Sequence, residues 1–130
     1  VPATSIMTPF DKMIALPADE HLGSVMRHIG TKLFSRLPVY DGAKIVGIVL
    51  RDDLLHASAL DNHTTVVRSL IKSVLRISSG ASVADLLQYL LKNRQEMCII
   101  EGPSQQTLGL ATMDDVVKHL LGRRDPNAFK

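Results

Sequence analysis

Residues 47–55 read GIVLRDDLL and residues 109–117 read GLATMDDVV. The same phrase, glycine then apolar residues then an aspartate pair then more apolar residues, is written twice in one chain. Self-similarity of this kind limits the fold more than composition does, because each copy must form the same supersecondary unit. The copies differ at one informative place. Thr112 in the second stands where Leu50 stands in the first.

The similarity extends over both halves. Leu16 corresponds to Ile77, Leu37 to Met97 and Gly47 to Gly109, with small drifts in the loops between. Each half opens on a short apolar strand, MIAL or VLRI. A polar turn with a helix-starting residue follows, Asp19 in one half and Ser82 in the other. Val83, Leu86, Leu87, Leu90 and Leu91 then keep helical spacing, as do Leu22, Val25, Met26 and Ile29. Two β-rich runs come next, RLPVY then IVGIVL, or EMCII then TLGLAT. A last helix starts at the aspartate pair. The order β-α-β-β-α predicts an α/β (α+β) unit, a small sheet covered by helices. About 60 residues make a marginal core, so the two copies are expected to pack as a pseudo-twofold pair. The expected division is a first motif with its lead-in at 1–60, a linker and lead-in helix at 61–73 with a turn at LDNHT, a second motif at 74–122, and a tail at 123–130.

Composition narrows the function classes. A net charge of +2 is too small to argue for a nucleic-acid partner. With 4% aromatic residues the core must be aliphatic. The single cysteine, Cys98, cannot form an intramolecular disulfide, and its apolar run MCII reads as a buried strand. No apolar stretch approaches the roughly 18 residues that span a membrane. His21, His28, His56, His63 and His119 form no zinc pattern and read as surface residues. No nucleophile elbow, P-loop or dinucleotide fingerprint is present, so an enzyme is not expected, and neither a catalytic residue nor a protein-held metal.

The strand-to-helix corner at GLATMDD has two readings. Thr112 or Asp114 can cap the first N–H groups of the last helix. Alternatively, Thr112, Asp114 and the adjacent helix start can face a ligand with hydroxyl and phosphate groups, since a carboxylate accepts from vicinal hydroxyls and a helix N-terminus favours phosphate. Both can hold at once. Thr8-Pro9 reads as a turn, Arg36 as a strand-edge charge or a phosphate contact, and Pro38 as an edge-strand breaker. Ile14 reads as core.

The glycine-apolar-apolar-Thr-x-x-Asp phrase at 109–115, repeated in degenerate form at 47–53, resembles a CBS motif, and the tandem pair resembles a Bateman module. IMTPFDKMIALP, SRLPVYDG and GLATMDDVVKHLLG resemble, more narrowly, the CBS modules of CorC/CNNM-like, hemolysin-related membrane proteins of magnesium and cobalt efflux. Phe10, Asp114 and the GRRDPNAFK tail depart from the pattern common in that group. The resemblance implies a regulatory module on the cytosolic face of the plasma (inner) membrane, between a transmembrane domain and a C-terminal domain of a longer chain. It implies an adenosine nucleotide, ATP or AMP, with Mg²⁺ as the companion ion, and a homodimer through the CBS modules. It implies that Asp115 takes the ribose, Thr112 the ribose or α-phosphate, and Asp114 a place beside them. Ser35, Arg36 and Pro38, with Ile14 and Ala15, are implied as the other pocket residues. Leu50 lacks the hydroxyl, which leaves Asp52 and Asp53 as helix-cap residues. Glu96, set opposite Arg36 in the alignment of the halves, would repel phosphate from the equivalent position. One occupied site per chain is expected. The alternative is a ligand-free dimerisation module.

Overall fold

Each repeat folds around a hairpin whose second strand runs directly into a helix. The computed structural model describes residues 1–29, 34–60 and 64–122. Residues 61–63 of the expected LDNHT turn, the tail at 123–130 and the His28 and His63 side chains lie outside the described residues. The chain forms two compact units, one of residues Ile14–Val74 and one combining Val1–Met13 with the chain from Leu75 onward.

In the Ile14–Val74 unit, β2 (Leu16–Pro17) runs parallel to β3 (Arg36–Asp41), which pairs antiparallel with β4 (Lys44–Leu50). The sheet order is β2-β3-β4, with α1 (Leu22–Ile29) and α2 (Arg51–Ala59) as its helices. Gly42 turns the hairpin at φ +62°, a left-handed conformation that favours glycine. Leu16, Leu22, Val25, Leu37, Val39, Val49, Leu54 and Val67 form the core. It is aliphatic, as the scarcity of aromatics requires.

The other unit repeats the plan. β5 (Leu75–Ser78) runs parallel to β6 (Met97–Glu101), and β6 pairs antiparallel with β7 (Thr107–Thr112). α3 (Val83–Asn93) and α4 (Met113–Gly122) are its helices. Ala3, Val83, Leu86, Leu90, Cys98, Ile100, Ala111 and Val116 form its core. Ser82 starts α3 with a reciprocal cap: its hydroxyl accepts from Asp85 N at 3.0 Å, and its own N–H donates to the Asp85 carboxylate at 3.0 Å. This pulls the Asp85 pKa below the ordinary carboxylate value. Leu91, expected on the apolar face, is instead exposed.

Four local expectations change. Asp19 is not a cap, because α1 starts later and Asp19 binds Arg68 at 3.0 Å, which lowers its pKa. Arg68 also holds Asp41 at 2.8 Å. MIAL contributes only its last residue to β2. Thr8-Pro9 is a short strand, β1 (Thr8–Pro9), antiparallel to β7, so the four-stranded sheet runs β1-β7-β6-β5.

The fourth change concerns where the lead-in packs. Residues 1–13 precede the first motif in sequence and pack with the second repeat. Conversely, the described residues of the lead-in at 61–73, including a 3-10 turn at Val67–Leu70, pack with the first. The repeated glycines explain the docking. Ile48 and Lys72 exchange both backbone hydrogen bonds, at 2.9 and 2.7 Å. A Cβ on neighbouring Gly47 would press on the Ile71 side chain and stand 2.6 Å from the Lys72 carbonyl oxygen. A Cβ on Gly109 would collide with the Thr8 carbonyl oxygen and stand 2.7 Å from Met7 Sδ. The glycine that opens each copy of the phrase is therefore where a lead-in segment crosses too closely for any side chain.

Candidate functional site

Thr112 is the last residue of β7, paired across the hairpin with Met97. α4 follows at once, and its first amide, Met113 N–H, donates to the Glu96 carbonyl at 2.9 Å. Asp115 N–H donates to Thr112 Oγ1 at 3.1 Å, and Thr112 N–H donates to Asp115 Oδ2 at 2.9 Å. This is a reciprocal capping box, with Asp serving as the third-residue acceptor. The capping reading therefore holds for Thr112, whose reciprocal partner is Asp115 and not Asp114. Asp114 takes a different role, an exposed ion pair with Lys118 at 2.9 Å that raises the Lys118 pKa.

Capping leaves chemical capacity at this corner. A hydroxyl that accepts one hydrogen bond keeps its proton to donate, and a carboxylate oxygen holding one N–H keeps further lone pairs. Both side chains are only half-buried. A fixed donor and a fixed acceptor thus sit together at the positive end of a helix, the arrangement that suits a vicinal diol with a phosphate beside it.

The first-repeat corner has the same backbone without the box. Arg51 N–H donates to the Ser35 carbonyl at 3.0 Å, matching Met113 and Glu96. Leu50 occupies the N-cap and makes no side-chain cap bond. Asp52 and Asp53 lie in the first turn of α2, where their charge suits the helix dipole. They meet Arg51 at 3.5 Å and Lys72 at 3.9 Å respectively.

The strand ladders also correct the alignment of the halves. Arg36 pairs with Leu50 and Met97 with Thr112, so Met97, not Glu96, is the counterpart of Arg36. Glu96 is the counterpart of Ser35. A slip of one residue in a strand moves a side chain to the opposite face. The inference that Glu96 occupies a phosphate-facing position therefore lapses, while the Thr112–Leu50 difference stands.

The remaining site residues belong to the Ile14–Val74 unit. Because β2 runs parallel to β3 with Leu16 beside Val39, Ile14 and Ala15 approach the same end of the sheet as Ser35, Arg36 and Pro38. Ile14 is 60% exposed and does not pack in the core. Ser35 is exposed, Arg36 and Ala15 are half-buried, and Pro38 is buried. Pro38 is tolerated in a central strand because its partner Ile48 turns both backbone groups to Lys72, so β4 asks nothing of the missing N–H. The structure thus forms two groups, Thr112, Asp114 and Asp115 in one unit and Ile14, Ala15, Ser35, Arg36 and Pro38 in the other.

Other titratable groups separate from this corner. Cys98 is buried in β6, and burial pushes its thiol up to about 12. His21 and His56 are exposed, whereas His119 is half-buried in a shallow groove with Leu87 and Leu120. Among the described residues no group of three His, Cys, Asp or Glu side chains is placed to hold a metal ion. No helix of the described residues is long and apolar enough to cross a membrane.

Comparison with known proteins supplies the context for this fold. Residues 3–60 carry the match to the family model of the CBS domain. As a whole the chain superposes on the CBS domain of the bacterial CNNM/CorC family Mg²⁺ transporter, solved in complex with ATP, with a TM-score of 0.84 and 26% identity over 94% of this chain and 88% of that one. UPF0053 protein YhdP of Bacillus subtilis is 27% identical over 92% of the chain. Hemolysin C of Rickettsia prowazekii is 27% identical over 92%. The chain spans only 28% of the length of YhdP and 40% of that of Hemolysin C. Its two α+β units match CBS-domain structures, with the second repeating the first.

Proposed function

We propose that this CBS module binds an adenosine nucleotide at the Thr112–Asp115 corner and regulates a longer membrane protein of ion transport. The observation that carries the reading is the half-buried donor and acceptor at the start of α4, set by a capping box whose hydroxyl the first repeat lacks. The similar module of a CNNM/CorC transporter was solved with ATP, which supports the ligand class. Asp115 accepts from the ribose hydroxyls, Thr112 donates to the ribose or α-phosphate, and Asp114 stands beside them. Ser35, Arg36, Pro38, Ile14 and Ala15 complete the set of nucleotide-binding residues in this reading. Mg²⁺ arrives with the triphosphate. The module's role is regulatory, not enzymatic: ligand preference for one arrangement shifts a conformational equilibrium. In the longer chain it sits at the cytosolic face of the membrane, beside a transmembrane domain and a C-terminal domain.

The test is calorimetric titration of the folded module with ATP and AMP, with and without Mg²⁺. Saturable binding that disappears in a Thr112→Ile, Asp115→Ala double variant supports the site. Silence toward every nucleotide sinks it.

A second reading is favoured by another observation. Leu91 on α3 and Val117, Leu120 and Leu121 on α4 are all more than two-fifths exposed. Such apolar helix surface suits homodimerisation between modules. Dimerisation can accompany nucleotide binding or replace it. Analytical ultracentrifugation of wild type and Leu120→Glu separates the cases: a dimer with no nucleotide binding favours the ligand-free module.

A further inference from the structure

We infer that residues 1–13 act as a strap that holds the Thr112–Asp115 corner, so that displacement of this lead-in loosens the corner from a distance. The strap is anchored at both ends within the second-repeat unit. Ala3 is fully buried in that core, and its N–H donates to the Ala81 carbonyl at 2.9 Å. Val83 N–H returns a bond to the Val1 carbonyl at 2.9 Å. At the far end Thr8 pairs with Leu110 and Pro9 with Gly109. The absent side chain of Gly109 is what lets the Thr8 carbonyl and Met7 cross there.

The strand it clamps is the one that delivers the corner. Among the described residues β7 has β6 on one side and β1 of the strap on the other, and it ends at Thr112. The cap hydrogen bonds at Thr112 and Asp115 depend on where the end of β7 sits relative to α4. A strand that loses its outer partner at Gly109 and Leu110 becomes an edge strand and opens more readily over the residues that follow, up to Thr112. Lifting the strap therefore costs order at Thr112, and whatever orders Thr112 favours the docked strap by the same free energy, since linkage is reciprocal. After Met13 the chain passes directly into the other unit at Ile14. The strap is thus the segment through which a pull on the lead-in reaches β7.

The strap itself does not depend on a ligand, but its effect on nucleotide affinity rests on the function proposed above. Hydrogen exchange tests the two separately. In Gly109→Ala the new Cβ must push the Thr8 carbonyl away. The expected result is exchange at least about tenfold faster at the Thr112 and Asp115 amides, with the α3 amides of Leu86 and Leu90 still as protected as in wild type. Faster exchange at Thr8 and Leu110 with unchanged Thr112 and Asp115 amides would overturn the inference. If Gly109→Ala does not fold, Met7→Ala removes only the thioether over Gly109 and should give a smaller acceleration at the same two amides. No change there also overturns it. A change at both amides without any nucleotide binding to wild type leaves the strap standing and refutes the ligand reading instead.

Discussion

Thr112→Val replaces the hydroxyl with a methyl of nearly the same shape and so removes one half of the capping box. The Asp115 N–H loses its acceptor at 3.1 Å. Losing a Thr cap costs about 1 kcal/mol, which for a domain of this size lowers Tm by roughly 4 °C. If Thr112 also donates to a nucleotide, ATP affinity falls by a further factor of about ten, since one hydrogen bond to a charged or hydroxyl partner contributes about 1–2 kcal/mol. Asp115→Asn separates the two roles. The amide oxygen still accepts from Thr112 N–H, so stability stays within about 1 kcal/mol of wild type, the loss being mostly that of the negative charge at the helix start. The carboxylate that would accept two ribose hydroxyls is gone, so ATP affinity should fall by about tenfold or more. Thermal melts and calorimetry on the same samples read both quantities. Thr112→Ser should restore both. A Thr112→Val protein that loses the expected stability yet binds ATP as wild type, together with an Asp115→Asn protein that binds as wild type, would reduce the corner to a helix cap.

Other consequences follow from the same geometry. Gly47→Ala forces a Cβ against Ile71 and the Lys72 carbonyl and should destabilise the first-repeat unit by about 1–3 kcal/mol, read by urea unfolding. Cys98 should resist alkylation at pH 8 in the folded protein and react only in denaturant, because its thiol is buried and pushed up to about 12. Asp19 and Asp85 have pKa values below the ordinary carboxylate value, so their contribution to stability is complete above that value and is lost as pH falls through their lowered values. Melts from pH 7 down to pH 3 should therefore show a fall in Tm that is shallower in Asp85→Asn.

Much of this architecture is legible in the sequence because its signals are local. The repeated GIVLRDDLL and GLATMDDVV announce two strand-to-helix corners, and the structure places β4–α2 and β7–α4 there. Ser82 and Asp85 sit at capping-box spacing and form the box. Thr112 and Asp115 have the same spacing, a signal that could have settled the cap reading directly. The errors arise where partners are distant in sequence. Asp19 looks like a cap until Arg68 arrives from the lead-in of the second motif. Residues 1–13 lead into the first motif in sequence, and only Gly109 shows that they dock on the second repeat. Arg36 and Glu96 look equivalent until the ladders count the residues. Ile14 looks like core because an apolar letter does not say which face it occupies, and it is exposed.

The count of nucleotides bound per chain tests the central claim most directly. Equilibrium dialysis of the wild-type module against labelled ATP, at saturating ligand with Mg²⁺ present, should give one ATP per chain, falling to none in the Thr112→Ile, Asp115→Ala double variant. Two per chain would mean that the Leu50 corner binds as well, and none would mean that the Thr112–Asp115 corner is a helix cap and nothing more.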